Sequence, residues 1–242
     1  MEITKDTIIG DVVTADYKAA SVFKKFGIDF CCNGNRSIGD ACAKDNINTD
    51  ELLTQLKDVP NQAGGRTIDY TTWPLDLLAD YIEKTHHRYV ETKSLEIKPY
   101  LDKITRVHGE RHPELAKVNE LFNLSAGNLA MHMKKEELTY FPKIRKMVDA
   151  ERKGEKMDAQ VLASVKTQIE TFLKEHDDEG EHFRQISALT NGFTVPEDGC
   201  NTYRVTLAMI QEFEEDLHLH IHLENNILFP KSIATAGEML NN

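Results

Sequence analysis

The chain has 242 residues, with 29 Lys and Arg against 40 Asp and Glu, and a net charge of −11 with histidine neutral. That balance repels a nucleic-acid backbone or an anionic lipid surface, so neither is expected as a partner. With 40% hydrophobic and 29% charged residues, the composition is that of a globular chain able to bury a core in one or two domains. No run approaches ~18 consecutive apolar residues, and MEITKDTIIG lacks a basic-then-apolar leader pattern; no membrane span and a cytoplasmic location are expected. The four cysteines, Cys31, Cys32, Cys42 and Cys200, are too sparse for a disulfide framework and read as reduced thiols. Adjacent Cα atoms are only about 3.8 Å apart, so a bridge between Cys31 and Cys32 would be strained; any special role of the pair is expected to be thiolate chemistry, and a purely structural role is the alternative.

In chain order, residues 1–60 read as a small helical domain. Asp16 can cap a helix whose Ala19, Val22, Phe23 and Phe26 make one apolar stripe, with Gly27 as its stop. The turn-like Asp29–Gly34 segment carries the paired thiols, a helix follows from Ser37, and Thr49-Asp50-Glu51 opens another. This domain has no large core, so docking on a second chain as a homodimer is one expectation. Residues 59–65, Val-Pro-Asn-Gln-Ala-Gly-Gly, read as a linker.

A second domain, 73–236, carries four long helical patterns over roughly 74–107, 113–149, 158–191 and 199–232. They break at Gly109 with Pro113, at Gly154, and across Gly192–Gly199, and Pro99 is expected to kink the first. No strand-like alternation persists. The fold class is therefore all-α, an up-down four-helix bundle behind a small helical domain.

The bundle repeats itself. His132, Glu136, Phe141 and Pro142 each recur 88 residues later, as His220, Glu224, Phe229 and Pro230; His87 and His176 are 89 apart. Residues four apart share a helix face. His132 and Glu136 continue a stripe of Val118, Phe122, Leu129, Tyr140 and Ile144, while His220 and Glu224 continue Val205, Met209, Phe213, Leu217 and Leu228. His176 sits between Ile169, Leu173, Phe183 and Ile186. A carboxylate in an apolar interior is costly unless a cation or a proton compensates it, and two at one level on stripes without Lys or Arg call for a metal. Four imidazoles and two carboxylates suit iron, zinc or manganese, with the nitrogen-rich mix favouring iron. If both glutamates bridge, each of two ions receives two nitrogens and two oxygens, leaving positions for an oxo or hydroxo bridge and a small ligand. Gly180, one turn beyond His176, marks a place where such a ligand could enter.

In the first helix the periodicity is split. His86 follows the stripe Leu75, Leu78, Ile82, whereas His87 leads into Val90, Ile97 and Leu101; the 89-residue offset favours His87. The remaining histidines are expected outside the centre. His218 and His222 lie roughly 200° round the helix from His220 and should be exposed. His108 and His112 flank Gly109 in a loop, and His182 is off the face of His176.

These residues carry a resemblance. The doubled His-x-x-x-Glu and the closing Glu224-Asn225-Asn226-Ile227-Leu228-Phe229-Pro230 resemble the hemerythrin-like (HHE) di-iron domains. Gly10-Asp11 and Val22–Gly34, Arg106-Val107-His108-Gly109, Glu175–Glu181 and Pro196–Thr202 resemble the repair-of-iron-centres (RIC) family, in which an ScdA-type domain precedes the HHE domain. The resemblance implies a stress-responsive protein with two non-haem irons that helps to restore iron–sulfur clusters damaged by nitrosative or oxidative stress, by iron donation or relief of nitrosylation. It implies iron ligands His87, His132, His176 and His220, with Glu136 and Glu224 bridging, and selects His87 over His86. The family's paired thiols fall on Cys31 and Cys32. Iron–sulfur proteins are the implied clients, and nitric oxide or oxygen the implied small ligands. A nitric oxide or peroxide reductase, and an oxygen or nitric oxide sensor, need the same ligand set and are the alternatives.

Overall fold

The computed structural model describes residues 2–59 and 68–241, so the linker expected at 59–65 falls outside the described residues apart from Val59. Four short helices come first: α1 (Ile9–Ala15), α2 (Ala19–Lys25), α3 (Ile38–Asp45) and α4 (Thr49–Asp58). Their starts follow local capping chemistry. Ser37 Oγ accepts from the Asp40 N–H, and Asn48 Oδ1 accepts from the N–H groups of Asp50 and Glu51. The expected cap at Asp16 is displaced: Asp16 closes α1, and its carboxylate accepts from the Lys18 N–H at 3.0 Å, with Lys18 in the capping position of α2.

The four long helices follow. The first (75–108) runs through Leu75–Tyr81, a π turn at Ile82–His87 and Arg88–His108. The second (114–153) has its π turn at Glu136–Tyr140, and the fourth (201–241) at Glu224–Leu228; the third, Ala159–Leu189, is unbroken. Each packs on its chain neighbours, and the first closes on the fourth, giving the up-down bundle. Among the described residues there is no β-strand, only a single bridge between Ile8 and Ser37. Pro99 lies on an exposed face and the helix continues through it.

The π turns explain the split reading around His86. A π turn takes in one more residue than an α turn, so the buried face moves by one position where it occurs. Upstream spacing then ends at His86 and downstream spacing starts from His87, and both side chains are buried. The same shift buries both Tyr140 and Phe141, and both Leu228 and Phe229. Pro142 and Pro230, the second residue after two of these turns, have no N–H to donate backwards, which frees the preceding turn to widen.

Two parts of the drawn stripes are corrected. Val205 and Leu173 are 46% and 40% exposed, and the inward positions are Tyr203, Leu207 and Ile210 in the fourth helix and Phe172 in the third. Steps of four residues drift by about 40° each around a 3.6-residue turn, so a stripe extended by fours leaves the core after two or three steps.

The core has two apolar layers. One contains Phe141, Ile144, Phe172 and Phe229; the other contains Val90, Leu129, Phe183 and Phe213, and continues without a break into Phe23, Phe30 and Ile38 of the N-terminal helices. The N-terminal helices therefore dock on the bundle of their own chain. The contact buries His222, which was expected to be exposed, and partly buries His218, because Phe30 packs on both rings and Tyr17 on His222. Ion pairs Lys24–Glu214 (3.0 Å) and Arg184–Asp29 (2.9 Å) cross the same boundary.

Candidate metal centre

Between the two apolar layers lie His87, His132, Glu136, His176, His220 and Glu224, all of them buried. Their donor atoms form two overlapping groups, His87–Glu136–His220–Glu224 and His132–Glu136–His176–Glu224, each with all atoms within 4.8 Å of one another. Both glutamates belong to both groups. Glu136 Oε2 stands 3.4 Å from Nε2 of His87 and of His132, and Glu224 Oε2 stands 3.2 and 3.3 Å from Nε2 of His176 and His220. Donors about 2.1 Å from one ion are separated by roughly 3.0–3.4 Å for right-angled to tetrahedral arrangements, so this spacing accommodates a cation in each group.

The charge pattern points the same way. Among the described residues four glutamates are buried. Glu179 is hydrogen-bonded by Ser125 and by Asn128 Nδ2 (2.9 Å), and Glu214 is paired with Lys24. Glu136 and Glu224 differ: none of their four carboxylate oxygens has a hydrogen bond, nor have Nε2 of His87 and His220. A buried carboxylate left in that condition is costly unless a cation replaces the missing donors. Burial would raise the Glu224 carboxyl, yet His220 and His176 beside it hold it well below the usual carboxylate range. Burial would lower His132, yet Glu136 and Glu175 raise it to about 10. The protein field therefore calls for positive charge between these groups. His176 Nε2 and His132 Nε2 face each other at 3.0 Å, two nitrogens converging on one point.

Outside this ring, three of the four imidazoles are held by a second hydrogen bond through Nδ1. His87 engages Glu137 Oε1 (3.1 Å), His132 engages Glu175 Oε2 (2.7 Å) and His176 engages Asn225 Oδ1 (2.7 Å). Such partners fix the ring orientation and turn Nε2 inward. His86 points elsewhere: its Nδ1 bonds Asp216 at 3.0 Å, and its ring stacks on His220.

The thiol pair lies against this centre. Cys31 and Cys32 are free, their sulfurs 3.8 Å apart, and Cys32 Sγ donates to the His176 carbonyl at 3.2 Å. Asp29 Oδ1 accepts from the N–H groups of both cysteines, and Asp29, Cys31 and Cys32 form a third compact donor group. The neighbouring Cys32 thiol and burial push the Cys31 thiol well up. Gly34 permits this turn, since a Cβ there would stand 2.3 Å from the Phe30 carbonyl oxygen. A Cβ at Gly180 would stand 3.0 Å from Cys32 Sγ, so the missing side chain makes room for the thiol, and Gly180 lines a cavity of about 460 Å³ together with Asp29, Cys31 and Cys32.

Sequence reasoning missed Asn225 and Asn226 as site residues. Asn225 Nδ2 donates to the Cys31 carbonyl (3.1 Å) while its Oδ1 serves His176, so one side chain ties the thiol turn to the centre. Asn226 Nδ2 donates to the Phe30 carbonyl (3.3 Å). Their signal was the polar Asn pair following Glu224 in an otherwise apolar stretch.

Known proteins match in the same two parts. Residues 5–60 match the ScdA_N model, described as a domain of unknown function (DUF542), and residues 78–232 match the hemerythrin HHE cation binding domain. The iron-sulfur cluster repair protein ScdA of Staphylococcus epidermidis is 33% identical over 230 residues, spanning 95% of this chain and 99% of its own. The iron-sulfur cluster repair protein YtfE of Pectobacterium atrosepticum is 34% identical over 234 residues, spanning 95% and 97%. Converging buried donors and these matches together make the chain a metal-binding member of the hemerythrin HHE family, in the group that carries an ScdA_N domain ahead of the bundle.

Proposed function

We propose that this chain holds two iron ions and uses them to repair iron–sulfur clusters damaged by nitrosative or oxidative stress, in the cytoplasm, with iron–sulfur proteins as its clients. The observation that carries the reading is the pair of glutamates shared by two donor groups, with no hydrogen bond to any of their oxygens. His87 and His220 would serve one ion and His132 and His176 the other, with Glu136 and Glu224 bridging. Four imidazole nitrogens with carboxylate oxygens suit iron among the first-row metals. When bound, the pair supplies redox-active, exchangeable iron. The names carried by the relatives favour repair over the reductase and sensor readings. Residues 1–60 and 73–236 are taken as the two domains.

The chain's own residues fit a centre that holds metal and can release it. Glu137, Glu175 and Asn225 hold three imidazoles with Nε2 turned inward, the orientation that metal ligation requires. The flanking apolar layers exclude water, which strengthens the attraction between carboxylate and cation. Asp29, Cys31 and Cys32 form the next donor group outward, joined to His176 through the Cys32 thiol. We assign the paired thiols to the exit of iron on this ground.

The test is reactivation of a cluster enzyme inactivated by nitric oxide. The iron-loaded chain should restore activity faster than the same amount of ferrous iron, and the Cys31→Ser, Cys32→Ser double variant should fall towards the free-iron rate while keeping its metal. Equal rates for the loaded chain and free iron would remove the repair reading.

A further inference from the structure

At the far end of the bundle from the thiol pair, Cys200 and His108 meet. The run Gly192–Gly199 returns the chain to the bundle, so that Cys200 takes the capping position of Asn201–Leu223 and its side chain is exposed. His108, the last residue of Arg88–His108, is buried rather than looped out, and its Nε2 is 3.2 Å from Cys200 Sγ. Tyr203 packs edge-on against the His108 ring at 5.3 Å and holds it in place. His112, expected in the same loop, bonds Asp198 Oδ1 through Nε2 at 2.9 Å, and Arg111 reaches the other oxygen of Asp198 at 2.9 Å. These ties fix the rim around the sulfur.

We propose that Cys200 is a nucleophilic thiolate, positioned by His108 and the first turn of the fourth bundle helix, that forms mixed disulfides with low-molecular-weight disulfides. His108 Nδ1 is buried and has no hydrogen-bond partner, whereas Nε2 faces the sulfur, so an N–H on Nε2 is the one placed to donate to the thiolate. A helix N-terminus adds its partial positive charge to the same atom. The Tyr203 N–H, then His108 and the Thr202 N–H, draw the thiol down to about 7. A thiol with a pKa near ambient pH attacks disulfides best, because it combines thiolate population with nucleophilicity.

The exchange is balanced. The Cys200 thiolate attacks one sulfur of the incoming disulfide, a new bond joins Cys200 to that half, and the original S–S bond breaks. The other half leaves as a thiolate with the electron pair, so the incoming disulfide is the oxidant and no proton is required. Twenty residues of helix, about 30 Å, separate Cys200 from the level of His220, next to which the Cys31–Cys32 turn packs. No second thiol is at hand to resolve the adduct, which therefore persists until an external thiol removes it.

The test uses the full chain. Iodoacetamide labelling of Cys200, followed by peptide mass spectrometry between pH 5 and 10, should reach half its maximal rate near pH 7. At pH 7 it should exceed the rate of an ordinary thiol about three- to fourfold, because the roughly sixteenfold ratio of thiolate fractions for pKa values of about 7 and 8.5 is offset about four- to sixfold by the lower nucleophilicity of the more acidic thiol. Glutathione disulfide should add one glutathione at Cys200, reversed by dithiothreitol. His108→Ala should move the midpoint upwards and His108→Gln, which keeps an N–H donor, should restore part of the shift. The wild-type profile decides even if His108→Ala fails to fold. A midpoint near 8.5, or no glutathione adduct at Cys200, would overturn the proposal.

Discussion

Replacing Glu136 by alanine is expected to empty both halves of the metal centre, whereas replacing His132 by alanine empties one. The asymmetry follows from membership: Glu136 belongs to both donor groups and His132 only to the group with His176. Losing an outer partner of a metal ligand already costs about 10–100-fold in affinity, so loss of a shared ligand should exceed a hundredfold at each ion. Stability follows metal. At free metal about 1,000 times the dissociation constant, binding adds about 4 kcal/mol to the folded state, and Glu136→Ala should forfeit that increment. Metal analysis and melting curves with and without a chelator check both statements. Equal metal loss in the two variants would contradict the shared-carboxylate geometry.

The second large effect is expected at Asn225. Asn225→Ala removes the acceptor of His176 Nδ1 and the donor to the Cys31 carbonyl together. Affinity for the ion served by His132 and His176 should fall about 10–100-fold. Cys31, which is buried, should become open to alkylation. Asn225→Asp keeps an oxygen towards His176 but has no N–H for Cys31, so it should restore metal binding while leaving Cys31 reactive. Competition with a colorimetric chelator gives the first quantity and timed alkylation the second. If Asn225→Asp failed to separate the two effects, the side chain would not be the link between centre and turn.

Much of the centre was legible in the sequence because the helix period does most of the work. His-x-x-x-Glu places two donors on one face, and the 88-residue recurrence brings a second such face into register. Those two facts suffice to bring His132, Glu136, His220 and Glu224 together, and the third helix adds His176 without a break. The split between His86 and His87 was itself a signal: two helical phases meeting at adjacent residues mark a π turn. What the sequence did not yield depends on contacts across elements. His222 is buried because Phe30 and Tyr17, about 200 residues earlier, cover its ring, and burial then takes it down to about 4. The same holds for Cys32 filling the space beside Gly180 and for His108 meeting Cys200, pairs with no local spacing to betray them.

Iron content per chain tests the central claim most directly. Protein loaded with ferrous iron under anaerobic conditions and freed of excess should retain two irons per wild-type chain, and close to none when Glu136 and Glu224 are both alanine. One iron or none in the wild type, or two retained without the carboxylates, would contradict the shared-bridge centre.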